Sequence, residues 1–214
     1  HDLLDGLHEY VGAVDRLYGK AESLDDFCRK VQFINYDSYR AMFESWNSRL
    51  WGDTSGVLLW MSHPAWPSVE WQTYSWDYET FGSYYGSRKA CEPVHVQMNL
   101  DDHDVVVLNT TTSPLADLMV TMTCHDLAGK KISAKTFKDV DVPANSRVDL
   151  FRAEIDGIRG NYMVRLVLSD RKGKVITVND YMMRGEGTEN FTAFNSVGRA
   201  EVKARRLSSK NKSV

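Results

Sequence analysis

The sequence lacks the features that would mark a membrane or nucleic-acid-binding protein. It has no apolar run of the roughly 20 residues needed to cross a bilayer. The stretch His1–Gly12 has no basic segment followed by an apolar one, so no secretion signal is expected in it. Lys and Arg number 26 against 29 Asp and Glu, giving a net charge of −3. This balance gives no reason to expect nucleic-acid binding, and the lack of a long apolar run gives none to expect membrane insertion. The basic stretch 203–212 is interpreted as a solvated tail.

Cysteine and histidine are sparse and show no metal-binding pattern. Cys28, Cys91 and Cys124 are far apart and have apolar neighbours, which favours buried free thiols over a disulfide. The six histidines show no paired ligand spacing, so neither a metal nor a cofactor is expected. The chain starts at His1, without methionine, in sequence that looks folded. We interpret that start as truncation or processing of a longer protein.

Tryptophan is absent after residue 76, and all six tryptophans fall within 31 residues. They are Trp46, Trp51, Trp60, Trp66, Trp71 and Trp76. Such a cluster forms either a core or a stacking surface for a ring-shaped ligand. Pro64 and Pro67 interrupt any helix here, so the run from Trp60 is predicted to be a strand end that leads into an aromatic loop. This arrangement is typical of sugar-binding clefts.

The first half of the chain reads as helix, turn, strand and loop. Ser23, followed by two aspartates, predicts the start of a helix that runs to about Trp46. Its apolar side is expected to be buried, and its charged side, including Arg40 and Glu44, to face solvent. The predicted buried residues are Phe27, Val31, Ile34, Met42, Phe43 and Trp46. The apolar run Gly56–Met61 predicts a strand buried on both faces, and the whole order is typical of an α/β barrel.

The second half changes to strand periodicity. A short helix, Ser83–Glu92, is expected to end at Pro93. Seven alternating segments then predict an immunoglobulin-like β-sandwich. They are Val94–Asn99, Val105–Thr110, Leu118–Asp126, Ile132–Val140, Arg147–Phe151, Tyr162–Ser169 and Val175–Met183. Gly185–Asn190 is interpreted as a linker, Phe191–Ala204 as one further strand, and Arg205–Val214 as a disordered tail.

Two motifs carry a family resemblance. GVLLWMSHPAWPS at 56–68, followed by Trp71-Gln72, and YYGSRKACEPVHVQ at 84–97 resemble glycoside hydrolase family two, in its exo-β-D-glucosaminidase and β-mannosidase-like branch. The resemblance implies α/β plus all-β architecture: the C-terminal end of a TIM-type (β/α) barrel, then the sandwich. By it, residues 1–92 are the C-terminal portion of the barrel catalytic domain and 93–185 the immunoglobulin-like β-sandwich. Residues 186–214 are a linker, the possible start of a further β-domain, and a tail.

The family hydrolyses β-glycosides with retention, using two glutamates. The resemblance places both upstream of His1, so no catalytic residue is expected here and the chain alone should be inert. Glu70, Glu79 and Glu92 match no catalytic motif of the family. The implied partners are the remainder of the catalytic barrel and a β-linked oligosaccharide or glycoside of glucosamine, mannose or galactose type. By family analogy the protein is periplasmic or extracellular.

Three residues are expected to bind substrate. Trp60 resembles the tryptophan that floors the family's sugar site; the alternative is a residue that fills the barrel core. His63 either contacts a hydroxyl or amino group of the substrate or only solvates the loop. Trp66 is either a sugar contact or a residue of the loop core.

Two other interpretations stay open for the whole chain. The first is a non-catalytic carbohydrate-binding or scaffolding β-sandwich module. The second is a stand-alone α+β protein of unrelated function. A lone buried strand cannot pair its own edges. If the chain is stable by itself, we therefore expect its first 80 residues to rearrange, cover the sandwich or pair with another copy.

Overall fold

The computed structural model describes residues 3–67 and 72–198, together with 201 and 203. Three α-helices form the first part of the fold: α1 (Leu3–Tyr18), α2 (Leu24–Asn47) and α3 (Gly82–Ala90). The predicted start of α2 is confirmed, because the Ser23 side chain caps the helix by accepting a hydrogen bond from the Asp26 backbone N–H at 3.2 Å. Helix α1 has no counterpart among the predicted elements.

The second part is an antiparallel β-sandwich. Its strands are β1 (Val94–Met98), β2 (Asp104–Asn109), β3 (Leu115–Asp126), β4 (Lys131–Val142), β5 (Ser146–Arg152), β6 (Asn161–Asp170) and β7 (Val175–Arg184). One sheet has the order β1-β2-β5 and the other β4-β3-β6-β7. The seven predicted strands are confirmed to within three residues at each end.

The core lies between the two sheets. Every second residue of β3 from Leu118 to Cys124 is buried, and these side chains meet Val96, Val105 and Leu166 from other strands. Each fully buried aliphatic side chain contributes about 1.5–3 kcal/mol. Cys124 is a buried free thiol, as predicted, whereas Cys28 and Cys91 are exposed, so the prediction was wrong for those two.

The predicted buried strand Gly56–Met61 does not form. The segment is irregular, and the Leu58 side chain is fully exposed. A strand buried in a parallel sheet needs a neighbour on each edge. Within residues 3–67 and 72–198, no strand pairs with this segment, so no barrel is formed there.

Helix α2 packs with the face opposite to the one predicted. Its buried residues are Lys30, Arg40 and Glu44. Residues on its predicted apolar face are only partly covered, and 46% of Trp46 is exposed. Helix α2 thus turns charged side chains toward the sandwich, and the helices cover part of it, one of the outcomes expected for an isolated chain.

The segment after β7 folds back onto the helices. Phe191 stacks on Tyr18 of α1, with ring centroids 5.6 Å apart. Thr192–Ser196 form a 3₁₀ helix, so the strand predicted over Phe191–Ala204 is wrong where the structure describes it. Residues 199, 200, 202 and 204 of that segment, and the tail from 205, lie outside the described residues.

Candidate functional site

The predicted site residues lie on one loop, residues 60–78, here called the aromatic loop. Its segment 68–71, which includes Trp71, lies outside the described residues. The Trp60 side chain is 83% exposed and the Trp66 side chain 67% exposed. Both indole rings therefore face solvent, and neither fills a core. Exposed tryptophan faces are the surface on which sugar rings stack.

His63 is held inside the aromatic loop by two contacts. Its ring stacks on Tyr78 with centroids 4.5 Å apart and an interplanar angle of 15°. Its Nε2 lies 3.3 Å from the backbone oxygen of Trp76. These contacts join the two ends of the loop, so His63 orders the backbone that presents Trp60 and Trp66.

The base of the aromatic loop is closed by backbone hydrogen bonds. The Ser62 carbonyl accepts from the backbone N–H groups of Thr73 and Tyr74, both at 3.0 Å. Buried Ser83 of α3 donates its hydroxyl to the Gln72 carbonyl at 3.1 Å. The loop is thus fixed to α3, which in turn lies against α2.

The two described carboxylates of the aromatic loop region, Asp77 and Glu79, show no sign of a catalytic pair. Asp77 accepts a hydrogen bond from the Ser75 hydroxyl, which lowers the pKa of Asp77 and keeps it ionised. Glu79 is exposed, and its backbone N–H donates to the Ser75 side chain. Retaining hydrolysis needs two carboxyl groups about 5–5.5 Å apart, one of them protonated. Glu70 lies outside the described residues.

Sequence reasoning missed a buried polar cluster where α2 meets the sandwich. We call it the α2 joint: Arg40, Glu44, His95, Asn179 and Tyr181, all at most 3% exposed. The Glu44 carboxylate accepts from Asn179 Nδ2 at 2.6 Å and from the Tyr181 hydroxyl at 3.0 Å. It also lies 3.0 Å from His95 Nε2. The Arg40 guanidinium lies 4.3 Å from the centre of the Tyr181 ring.

The α2 joint continues into the end of α3. The second ring nitrogen of His95, Nδ1, lies 3.5 Å from Glu92, which also binds Lys89 at 2.7 Å and accepts from Thr177. Burial opposes a charge on His95, but the hydrogen bonds to Glu44 and Glu92 outweigh it and raise the pKa of His95. Burial acts to raise the pKa of Glu92, but the hydrogen bonds from His95, Lys89 and Thr177 have the larger opposite effect. The pKa of Glu92 is therefore lowered to about 2. Glu92 is thus ionised, and its hydrogen-bond donors hold it in a structural role.

Comparison with known proteins identifies the sandwich. Residues 101–184 match the family described as mannosidase Ig/CBM-like domain. A mannosylglycoprotein endo-β-mannosidase of Lilium longiflorum is 34% identical over 177 residues, which are 81% of this chain and 19% of that protein. An exo-β-D-glucosaminidase of Amycolatopsis orientalis is 32% identical over 188 residues, 85% of this chain and 18% of that one. The chain is homologous to glycoside hydrolases of family two.

Solved structures of family-two enzymes share the fold. The crystal structure of the Amycolatopsis orientalis exo-chitosanase CsxA superposes with a TM-score of 0.80 and 27% identity, over 88% of this chain and 25% of that one. A β-D-mannosidase from Dictyoglomus thermophilum superposes with a TM-score of 0.70 at 23% identity, over 83% of this chain and 22% of that one. Because the sandwich makes up less than half of the chain, this similarity extends into the helices.

The chain spans about a fifth of the length of the curated relatives that it matches.

The α2 joint connects the mannosidase Ig/CBM-like domain to the helices before it. Arg40 and Glu44 stand one helical turn apart on α2, on the side that sequence reasoning interpreted as a solvated face. The sequence shows the two charges on a predicted helix and the polar residues His95 and Asn179 in predicted strands. No sequence rule places those four side chains together.

Proposed function

We propose that this chain is the part of a retaining β-glycosidase that supplies the aromatic loop to the substrate site. The proposed substrates are β-linked glycans of glucosamine, mannose or galactose type. The two catalytic carboxylates are supplied by another part of the polypeptide, so the chain alone is inert. The proposed location is periplasmic or extracellular, in keeping with the family. Within the part of the chain that the structure describes, none of the helices has the length and apolar character of a membrane span.

The observation that carries this proposal is the exposure of two tryptophans on an anchored loop. Large aromatic rings left in water give up the stabilisation that burial would provide. Trp60 and Trp66 remain uncovered although their loop is fixed by Ser62 and by the His63–Tyr78 stack. A sugar ring would cover an indole with its apolar C–H face, while its hydroxyl groups stay available to polar partners.

We further propose that α2, Gly56–Met61 and α3 complete a (β/α) barrel with the rest of the catalytic domain. The apolar segment Gly56–Met61 pairs with no strand among the described residues, and Leu58 on it is fully exposed. The partly uncovered face of α2, with Trp46, offers further apolar surface. Exposed apolar surface of this kind marks an interaction site. The proposed partner is the remaining barrel of the same polypeptide.

The second candidate is a carbohydrate-binding or scaffolding role of the sandwich itself. One observation favours it: Phe137 and Phe151 form an aromatic pair on the sandwich, with ring centroids 5.9 Å apart and Phe137 39% exposed. The Lys135 ammonium lies 4.8 Å from the centre of the Phe151 ring and covers part of that surface. The sandwich contains no tryptophan, so the aromatic loop is the stronger candidate.

A single substitution series tests the proposal in the complete open reading frame that carries this chain. Trp60→Ala is expected to lower kcat/KM about a hundredfold, because it removes the stacking surface under the reacting sugar. The assay uses p-nitrophenyl β-D-glucosaminide, β-D-mannoside and β-D-galactoside. Phe137→Ala is the control and should leave kcat/KM unchanged.

Two results would contradict the proposal. One is a complete wild-type protein that hydrolyses none of the three glycosides. The other is an unchanged kcat/KM in Trp60→Ala. If Phe137→Ala, and not Trp60→Ala, abolishes glycan binding by the chain, the sandwich-module role is supported instead.

A further inference from the structure

A second polar and aromatic cleft lies away from the aromatic loop. It has a volume of about 540 Å³ and separates the turn after α2 from the β4–β5 turn of the sandwich. That volume is within the range of about 300–1,000 Å³ that is usual for small-molecule sites. Its lining includes Trp51 on one side and Asn145, Ser146, Arg147 and Asp149 on the other.

Trp51 forms one side of this cleft and is 45% exposed. Its backbone is in the left-handed region, with φ at 65°. The Trp51 N–H donates to the Thr54 carbonyl at 3.1 Å, and the Gly52 N–H donates to the Arg49 carbonyl at 3.1 Å. A large aromatic residue in this conformation needs support from its surroundings. The hydrogen bonds of the turn supply that support and fix where the indole is presented.

Polar side chains on a fixed backbone form the other side. Arg147 and Asp149, neighbours on one face of β5, form an ion pair in which Arg147 Nε lies 3.1 Å from Asp149 Oδ1. The Asn145 N–H donates to the Thr111 carbonyl at 3.0 Å, and the Ser146 hydroxyl donates to the Pro143 carbonyl at 2.7 Å. The cleft thus has an aromatic ring on one side and both hydrogen-bond donors and acceptors on the other.

We propose that this cleft is a second saccharide-binding site, which holds a β-linked oligosaccharide outside the reacting centre. The Trp51 ring stacks on one sugar ring, while Arg147 donates hydrogen bonds to hydroxyl oxygens and Asp149 accepts from hydroxyl groups. Sugars combine apolar ring faces with hydroxyls that both donate and accept, and this lining matches both features. The ligand class rests on the proposed function.

The two sites are separate in the fold. Trp51 precedes the Gly56–Met61 segment, and Trp60 lies at the far end of that segment. None of the described residues of the aromatic loop lines the cleft. The cleft takes its second side from the sandwich. A long substrate held here would be anchored through rings that are not being cleaved.

The test is a titration of the full 214-residue chain with hexamers of β-1,4-linked glucosamine and of β-1,4-linked mannose. Binding is followed in ¹H–¹⁵N NMR spectra through the assigned indole N–H signals of Trp51 and Trp60 and, in all variants including Trp51→Ala, through the backbone N–H signals of the cleft residues Ser146 and Arg147. Saturable shifts of the Trp51 signal are expected. Trp51→Ala should weaken the site at least tenfold and Arg147→Gln several-fold, while Trp46→Ala, which removes an equally exposed indole outside the cleft, should not.

Each other result overturns the inference. A Trp51 signal that does not move with either hexamer means that the cleft does not bind these glycans. Binding that survives Trp51→Ala and disappears in Trp60→Ala assigns all affinity to the aromatic loop. Neither result affects the hydrolysis assay on the complete protein, so failure of this inference is distinguishable from failure of the proposed function. Thermal unfolding of each variant confirms that it is folded.

Discussion

His95 lies between two carboxylates, Glu44 and Glu92, inside the contact of α2 with the sandwich. Its buried ring connects α2, through Glu44, with the turn after α3, through Glu92. Asn179 and Tyr181 of β7 complete the same set of hydrogen bonds. A buried carboxylate with several donors is stable, but removing one partner leaves a charge without compensation. The stability of the contact between α2 and the sandwich therefore depends on whether the His95 ring is protonated.

The pH dependence of stability follows from the pKa directions of His95 and Glu92. The raised pKa of His95 gives stability that is full below its ordinary value of 6.5 and is lost as the pH rises through the folded-state pKa. The lowered pKa of Glu92 gives stability that is present above 4.5 and is lost as the pH falls toward about 2. The two contributions together are greatest between about pH 4.5 and 6.5.

We therefore expect the wild-type chain to lose unfolding free energy between pH 6 and 9, and His95→Gln to lose less over that interval. Urea denaturation at several pH values measures both. Glu92→Gln is the complementary variant: it should flatten the acid side. Because Glu92 also helps to raise the pKa of His95, it should reduce part of the alkaline loss as well. Equal slopes in wild type and His95→Gln would show that the protonated ring does not support the joint. Burial also raises the pKa of neighbouring Asp37, so the difference between variants, not the wild-type slope alone, isolates His95.

Among the helices, the closest contact is that between α3 and α2. A Cβ atom built on Gly82 would lie 1.9 Å from the Gln32 carbonyl oxygen, and one on Gly86 would lie 2.2 Å from the Tyr36 carbonyl oxygen. These glycines stand one turn apart on α3 and let the two backbones touch. Because glycine has no side chain at these two positions, α3, which holds the base of the aromatic loop, packs directly against α2.

Gly86→Ala should destabilise the chain by about 2–3 kcal/mol, because the added methyl group must separate the two helices. Gly12→Ala in α1 is the matched control, since a Cβ there meets nothing within 4 Å. Higher helix propensity should make that variant neutral or up to about 1 kcal/mol more stable. Chemical denaturation compares the two, and a Gly86→Ala chain as stable as wild type would mean that α3 is not held at this distance.

Which elements could be predicted from sequence depends on whether their signal is local. The alternation in β3, with Leu118, Val120 and Met122 turned inward, is contained in the strand itself, and so is the cap formed by Ser23. Which face of α2 is buried is not local. The spacing of apolar residues is the same whether they meet this sandwich or another surface, and the choice of Arg40 and Glu44 depends on residues more than 50 positions away.

The candidate site was predictable to the same degree. Proline and tryptophan content predicted an aromatic loop after residue 60, and the structure places Trp60 and Trp66 in solvent on such a loop. The stack of His63 on Tyr78 was not predictable, because the sequence offered His63 only as a sugar contact or as a residue that solvates the loop. Binding of sugar stays a prediction, since it depends on the atoms that face these rings in a complete site.

The two parts of the molecule differ in how completely their backbone is paired. The sandwich buries its core between two sheets, while Gly56–Met61 has no strand partner among the described residues. A backbone without regular hydrogen bonds exchanges its amide protons quickly. Stability is therefore expected to be uneven along the chain.

In hydrogen exchange on the 214-residue chain, amides of Gly56–Met61 should exchange within seconds, while those of β3 and β6 exchange only on global unfolding. In the complete polypeptide the same segment should become protected, because neighbouring strands would pair with it. The strands of the sandwich serve as the internal control in both samples. Protection of Gly56–Met61 in the monomeric 214-residue chain would contradict the proposed barrel role.

The α2 joint also limits how this protein can be recombined. A sandwich is a self-contained unit and would normally be exchangeable between homologues at the residue before β1. Here the helix contributes Glu44 and Arg40, and the sandwich contributes His95, Asn179 and Tyr181. A crossover between the two would inherit a buried carboxylate with no donors unless both parents carried the same set. A stable chimaera therefore requires that the helices and the sandwich are exchanged together.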